Sequence, residues 1–136
     1  MRVVIDTNVL VSGVLNPHGP PGRIVDGILA QSFVVLYDDR ILVEYRDVLS
    51  RPAFDLRRSE VDAFVDFADA RGECVAAATL TVVLPDPDDL PFLEVAAAAH
   101  ADALVTGNVR HFKPRRGNHR VHVCTPAEFL RRLGST

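Results

Sequence analysis

Apolar residues fall in short blocks, and the spacing within and between the blocks predicts the elements. Val3-Val4-Ile5 is continuous, without alternation, the pattern of a strand buried on both faces. It predicts a strand over 2–6, and Phe33 to Tyr37 (FVVLY) predicts a second. Between them NPHGPP, Asn16 to Pro21, reads as a turn-rich loop. Arg23 to Ser32 reads as a helix carrying Ile24, Val25, Ile28 and Leu29. Asp38-Asp39 open a helix to about Ser50, stopped by Pro52. Its Ile41, Leu42, Tyr45, Val48 and Leu49 form one stripe at helical spacing. Ser59 and Asp62 resemble a capping box ahead of a helix over 60–71, ended by Gly72.

Glu73 to Ala77 reads as a third strand, and Thr79 to Leu84 as a strand or an extended link. A proline and acid cluster then leads into an alanine-rich helix from Leu90 to about His100. Ala103 to Thr106 is a short strand, 107–120 a polar loop, and Val121 to Cys124 the last strand. Thr125-Pro126 caps and opens a final helix to Leu133. Strands alternating with helices imply a mainly parallel sheet covered on both faces. With no repeats and no linker, 1–136 is expected to be a single domain.

Composition narrows the function classes. The formal net charge is −3, so a nucleic-acid substrate would need a local basic patch. No apolar run approaches the ~18–20 residues that span a bilayer. Met1-Arg2 leads straight into a strand without a signal-peptide pattern, so a cytoplasmic protein is expected. Cys74 and Cys124 form no CxxC and are expected to be small buried thiols. The five histidines make no HExxH or zinc spacing and read as surface or loop residues.

The chemistry gathers at strand ends. Asp6 closes the first strand, and an unpaired buried carboxylate is costly, so it needs a partner. In open α/β sheets, sites form beyond the carboxyl ends of the strands. Glu44 falls at the edge of its helix's apolar stripe, near enough to a crevice to reach in; the competing reading is a surface glutamate paired with Arg40 or Arg46. Asp89 shares the angular sector of Phe92, Leu93, Ala96, Ala99 and His100, whereas Glu94 lies opposite. Asp86 and Asp88 read as cap or loop acids. Converging carboxylates either rise in pKa or are neutralised by a divalent cation. Oxygen donors suit Mg²⁺ or Mn²⁺ rather than zinc, and the matching chemistry is metal-assisted phosphodiester hydrolysis.

VVIDTNVLVSG, ILVEYRDVL and DPDDLPFLEVAAAAHADALVTGN resemble, in order and spacing, the four motifs of the PIN-domain nucleases. The resemblance is nearest to the VapC-like ribonuclease toxins of bacterial toxin–antitoxin systems. It implies a Rossmann-like three-layer α/β/α sandwich, Mg²⁺- or Mn²⁺-dependent endoribonuclease activity, an antitoxin partner and a homodimer. Carried over by position, Asp6, Glu44 and Asp89 are the metal-binding and catalytic acids. Asn8 and Thr106 match the polar residues that support them. The fourth motif departs from its usual TxD: Asn108 stands at the acid and brings no charge, which leaves one-metal or substrate-assisted two-metal catalysis open. Arg110, Lys113, Arg115, Arg116 and Arg120 form the candidate RNA patch just past Asn108.

Competing readings meet specific obstacles. A haloacid-dehalogenase-type phosphatase needs an aspartate two residues after the first, where this chain has Asn8. A receiver domain needs an acceptor aspartate after a middle strand, which here ends in Ala76-Ala77. No GxGxxG follows the first strand, against a dinucleotide fold. A PIN-fold binding module that has lost catalysis remains the alternative consistent with Asn108.

Overall fold

The computed structural model describes residues 1–134. Five parallel strands form one sheet, in the order β3-β2-β1-β4-β5. They are β1 (Arg2–Ile5), β2 (Val34–Tyr37), β3 (Glu73–Cys74), β4 (Ala103–Val105) and β5 (Val123–Cys124). Six helices connect and cover them: α1 (Thr7–Leu15), α2 (Pro20–Leu29), α3 (Asp39–Leu49), α4 (Arg58–Arg71), α5 (Leu90–Ala98) and α6 (Pro126–Gly134). The chain steps outward from β1 to β2 and β3, then returns to the far side of β1 for β4 and β5. Right-handed crossovers make the two directions place their helices on opposite faces. Accordingly α5 packs on β1, β2 and β4, while α2 packs on α1 and α6, and α4 on β2. This is a Rossmann-like α/β/α sandwich, as the family resemblance implies.

The centre of the sheet is its driest part. Val3, Val4 and Ile5 are fully buried, as are Ala103, Leu104 and Val105 in register beside them. Burial on both faces explains why these strands read as unbroken apolar runs. On the other side of β1, Val3 pairs with Val35. The α1–α2 corner depends on close backbone approach. A Cβ at Gly22 would stand 2.1 Å from the Pro17 carbonyl oxygen, and one at Gly13 2.7 Å from that of Pro21.

Several boundaries differ from the sequence pattern. Residues 7–15, which received no element, form α1, and α2 begins at Pro20, inside the expected loop. Proline is well accommodated in a first helical turn, so PP opens the helix. The expected capping box fails: α4 starts at Arg58 behind Arg57, and Asp62 pairs with Arg46 and Arg58 instead. β3 and β5 keep only two residues each of the expected runs. Val83 makes one antiparallel bridge to Arg116, and residues 109–112 of the expected loop form a 3₁₀ turn. Both thiols are free, but only Cys124 is buried; Cys74 lies exposed at the sheet edge. No helix is long and apolar enough to cross a membrane among the described residues.

Candidate active site

β1 and β4 are neighbours at the place where the chain reverses its direction of travel across the sheet. Their carboxyl ends therefore flank the crevice where α/β sheets bind ligands. Asp6 follows β1 and Thr106 follows β4. The Asp6 N–H donates to the Val105 carbonyl at 2.9 Å, extending the ladder to the site itself. Asp6 stands before α1 but makes no capping bond. Its carboxylate instead accepts the Thr106 hydroxyl at 2.8 Å. Thr106 Oγ1 in turn accepts the Asn108 N–H at 3.0 Å, and Asn8 Oδ1 accepts the Gly107 N–H at 3.2 Å. Thus Asn8 and Thr106 hold the β4 turn against the start of α1.

Glu44 comes in from α3. The tyrosine beside it fixes that helix: Tyr45, fully buried, donates its hydroxyl to the carbonyl of Ile5, the residue before Asp6. Glu44 is half-buried and accepts the Thr7 hydroxyl. It pairs with neither Arg40 nor Arg46, the partners a surface reading would give it. Arg40 bonds Asp38 and Glu94, and Arg46 bonds Asp62 and Asp66. Thr7 was not singled out by the sequence; its place next to Asp6 was the available signal.

Asp89 ends a 3₁₀ turn, Pro87–Asp89, that leads into α5. Asp86 caps the turn by accepting the Asp88 N–H at 2.9 Å, which leaves Asp89 without a capping duty. Its Oδ2 is buried and accepts no hydrogen bond. His111 of the 109–112 turn stands beside it, with Nδ1 3.5 Å away, beyond hydrogen-bond distance. His111 was expected to be a plain loop histidine.

The three acids share one electrostatic signature. Burial pushes the Asp6 carboxyl above its ordinary range, opposed chiefly by the Thr106 hydroxyl. Burial likewise raises Glu44, with Asp6 and Asp88 adding repulsion and the Thr7 hydroxyl opposing. Asp89 is pushed up to about 6 by burial and by the charges of Asp6, Asp86 and Glu44, with His111 opposing. Asp6 raises both Glu44 and Asp89, and Glu44 raises Asp89, so the fold brings the three within electrostatic reach at one crevice. Among the described residues no three His, Cys, Asp or Glu side chains are already set as a metal cage. The donor set still fits a hard divalent cation: all-oxygen ligands, mutual repulsion and a buried carboxylate oxygen without a partner.

Comparison with known proteins matches the PIN domain to residues 2–110, most of the chain. The chain belongs to the PIN domain family. PIN domains are typically nucleases. A solved structure, VapBC2 from Rickettsia felis bound to a DNA fragment from their promoter, has a similar fold. The TM-score is 0.58 at 16% identity, over 92% of this chain and 98% of that one. An uncharacterized protein of Methanocaldococcus jannaschii, MJ1680, is 46% identical over 44 residues, or 32% of this chain. The matched stretch spans 28% of that protein's length.

The remaining predicted residues of the PIN domain divide. Asn108 opens the 109–112 turn with an exposed side chain that makes no cap bond; its backbone is what engages Thr106. Arg110 and Lys113 are exposed on and just after the turn that carries His111. Arg115 and Arg116 are exposed where the loop pairs with Val83. His119 pins this loop, with Nε2 donating to the Phe112 carbonyl at 2.8 Å and Nδ1 accepting the Val121 N–H at 3.1 Å. Arg120 lies elsewhere. It lines a shallow pocket with Ala96, Ala97, His100 and Ala101, beside the amino ends of β4 and β5 and away from the acids.

A second buried acid lies on the face of α5 opposite Asp89, where the sequence pattern puts it but does not predict burial. Glu94 is 4% exposed and lies under the extended segment that follows β3. It accepts the Leu80 N–H at 2.8 Å and Arg40 Nη1 at 2.7 Å. Helical periodicity sees only one covered face of α5; a passing loop covers the other.

Proposed function

We propose that this PIN domain, read as the single domain 1–136, is a divalent-metal-dependent endoribonuclease and the toxin of a type II toxin–antitoxin pair. The observation that carries the reading is Asp89: a buried carboxylate oxygen without a hydrogen bond, beside Asp6 and Glu44, with its pKa pushed up to about 6. That is the state of a ligand whose counter-charge is a cation. Asp6, Glu44 and Asp89 would hold Mg²⁺ or Mn²⁺. When bound, the ion would supply an activated water and offset charge on the scissile phosphate.

The chain's own residues do the positioning. Thr106 orients Asp6 and Thr7 orients Glu44, each by donating a hydroxyl hydrogen bond. Asn8 keeps the β4 turn in place. Arg110, Lys113, Arg115 and Arg116, on the loop that begins at the site, would contact the RNA backbone. Arg120, at the other end of the sheet, would contribute little to cleavage. The VapBC2 neighbour is a toxin–antitoxin pair, which supports an antitoxin partner here. We read the active form as a cytoplasmic homodimer.

The test is cleavage of a mixed RNA pool by the purified protein with Mg²⁺, Mn²⁺ or EDTA, beside Asp6→Ala. Cutting is expected with metal, and none with EDTA or the variant. Cation binding without cutting would favour the catalytically lapsed binding module, a reading that rests on the uncharged Asn108.

A further inference from the structure

The fourth acidic position carries Asn108, yet the turn it opens returns a different donor to the site. The Asn108 N–H is held by Thr106 Oγ1 at 3.0 Å, and the Asn108 carbonyl accepts the His111 N–H at 3.0 Å. Two consecutive hydrogen bonds thus fix His111 relative to Thr106, which itself holds Asp6. The His111 side chain is 48% exposed, whereas that of Asp89 is only 15% exposed. The imidazole therefore forms an outer wall over a buried carboxylate.

The distance between them is informative. His111 Nδ1 and Asp89 Oδ2 are 3.5 Å apart. Hydrogen-bonded N···O pairs fall at ~2.7–3.2 Å, so this is not a hydrogen bond, and Oδ2 has no other. Two donors bound to one first-row ion at ~2.1 Å stand ~3.0 Å apart in octahedral and ~3.4 Å apart in tetrahedral geometry. The observed spacing is close to that of donors sharing an ion.

We infer that His111 Nδ1 is a ligand of the site's cation, replacing the carboxylate missing at Asn108, and that the site accordingly selects a first-row transition ion over Mg²⁺. The inference rests on the reading of Asp6, Glu44 and Asp89 as a cation site. Mg²⁺ prefers oxygen donors and binds imidazole poorly, whereas first-row transition ions accept mixed nitrogen and oxygen sets. Exchanging a fourth carboxylate for an imidazole keeps the donor and lowers the negative charge of the site.

The probes are Mn²⁺ and Mg²⁺, titrated into the metal-free protein, His111→Ala, His111→Gln and Asp89→Asn by calorimetry. Pulsed electron resonance of bound Mn²⁺ reads directly whether nitrogen is coordinated. The wild type is expected to bind Mn²⁺ about tenfold or more tightly than Mg²⁺ and to show a nitrogen coupling. His111→Ala and His111→Gln should lose that coupling and most of the preference, with Mg²⁺ affinity little changed. Asp89→Asn should weaken both ions. Mn²⁺ bound by the wild type without nitrogen coupling, or a preference unchanged in both His111 variants, would overturn the role of His111 while sparing the acids. No binding of either ion to the wild type would overturn the acidic site and this inference with it.

Discussion

Thr106 Oγ1 lies 2.8 Å from Asp6 Oδ2, joining the carboxyl end of β4 to that of β1 across one hundred residues of sequence. Both residues are almost wholly buried. This bond is the strongest hydrogen-bond influence on a carboxylate at the dry end of β1. Replacing Thr106 with Val keeps the shape and removes the donor. The expected cost is ~1–2 kcal/mol at pH 7.5, the price of losing a hydrogen bond to a charged group, and the Asp6 pKa should rise further. The cost should shrink at pH 4, where more of Asp6 is protonated. Urea denaturation of wild type, Thr106→Val and Thr106→Ser at the two pH values checks this, with Ser restoring most of the loss.

Asp89 should trade stability for function. Its folded pKa is about 6 against an ordinary 3.8, so the folded protein holds the proton longer than the unfolded chain. The contribution of this group to stability is therefore greatest below about pH 4, declines between about pH 4 and 6, and stays low above. The interval corresponds to nominally ~3 kcal/mol, cut to ~1 kcal/mol once solvent access to the crevice is allowed for. Without metal, Asp89→Asn should stabilise the protein by about that amount at pH 7.5 and leave it nearly unchanged at pH 4. Thermal melts in EDTA at the two pH values decide it; a destabilised variant at pH 7.5 would count against the strained carboxylate.

Arg40 and Glu94 should be coupled in stability. Arg40 is half-exposed, whereas Glu94 is 4% exposed. Arg40→Ala leaves the buried carboxylate with only the Leu80 N–H, and a loss of ~1–3 kcal/mol is expected. In a Glu94→Gln background the same change should cost much less, because no buried charge is stranded. A double-mutant cycle by chemical denaturation measures the difference.

The elements that the sequence showed best are those whose local pattern matches their environment. β1 and β2 lie at the dry centre of the sheet, and their unbroken apolar runs say so. α3 has one wet and one dry face, and its stripe places both Tyr45 and Glu44. α1 was not legible because Thr7–Leu15 is apolar nearly all round and carries β-branched residues, so its period is weak. β3 and β5 were overextended because pairing, not composition, ends an edge strand. At the site, strand-end and helix-edge position marked Asp6, Glu44 and Asp89 as candidates, and the family resemblance selected them. Thr7, His111 and Glu94 were not legible, since their importance arises from contacts with residues 37, 22 and 54 positions away.

The central claim is that Asp6, Glu44 and Asp89 form one cation site, and equilibrium titration of Mn²⁺ into the metal-free protein at pH 7.5 tests it most directly. Wild type should be compared with Asp6→Asn, Glu44→Gln and Asp89→Asn, each shown to be folded by circular dichroism. The account predicts saturable binding by the wild type and at least a tenfold weakening in every one of the three variants. Wild-type affinity retained in any of them, or no binding by the wild type, would contradict it.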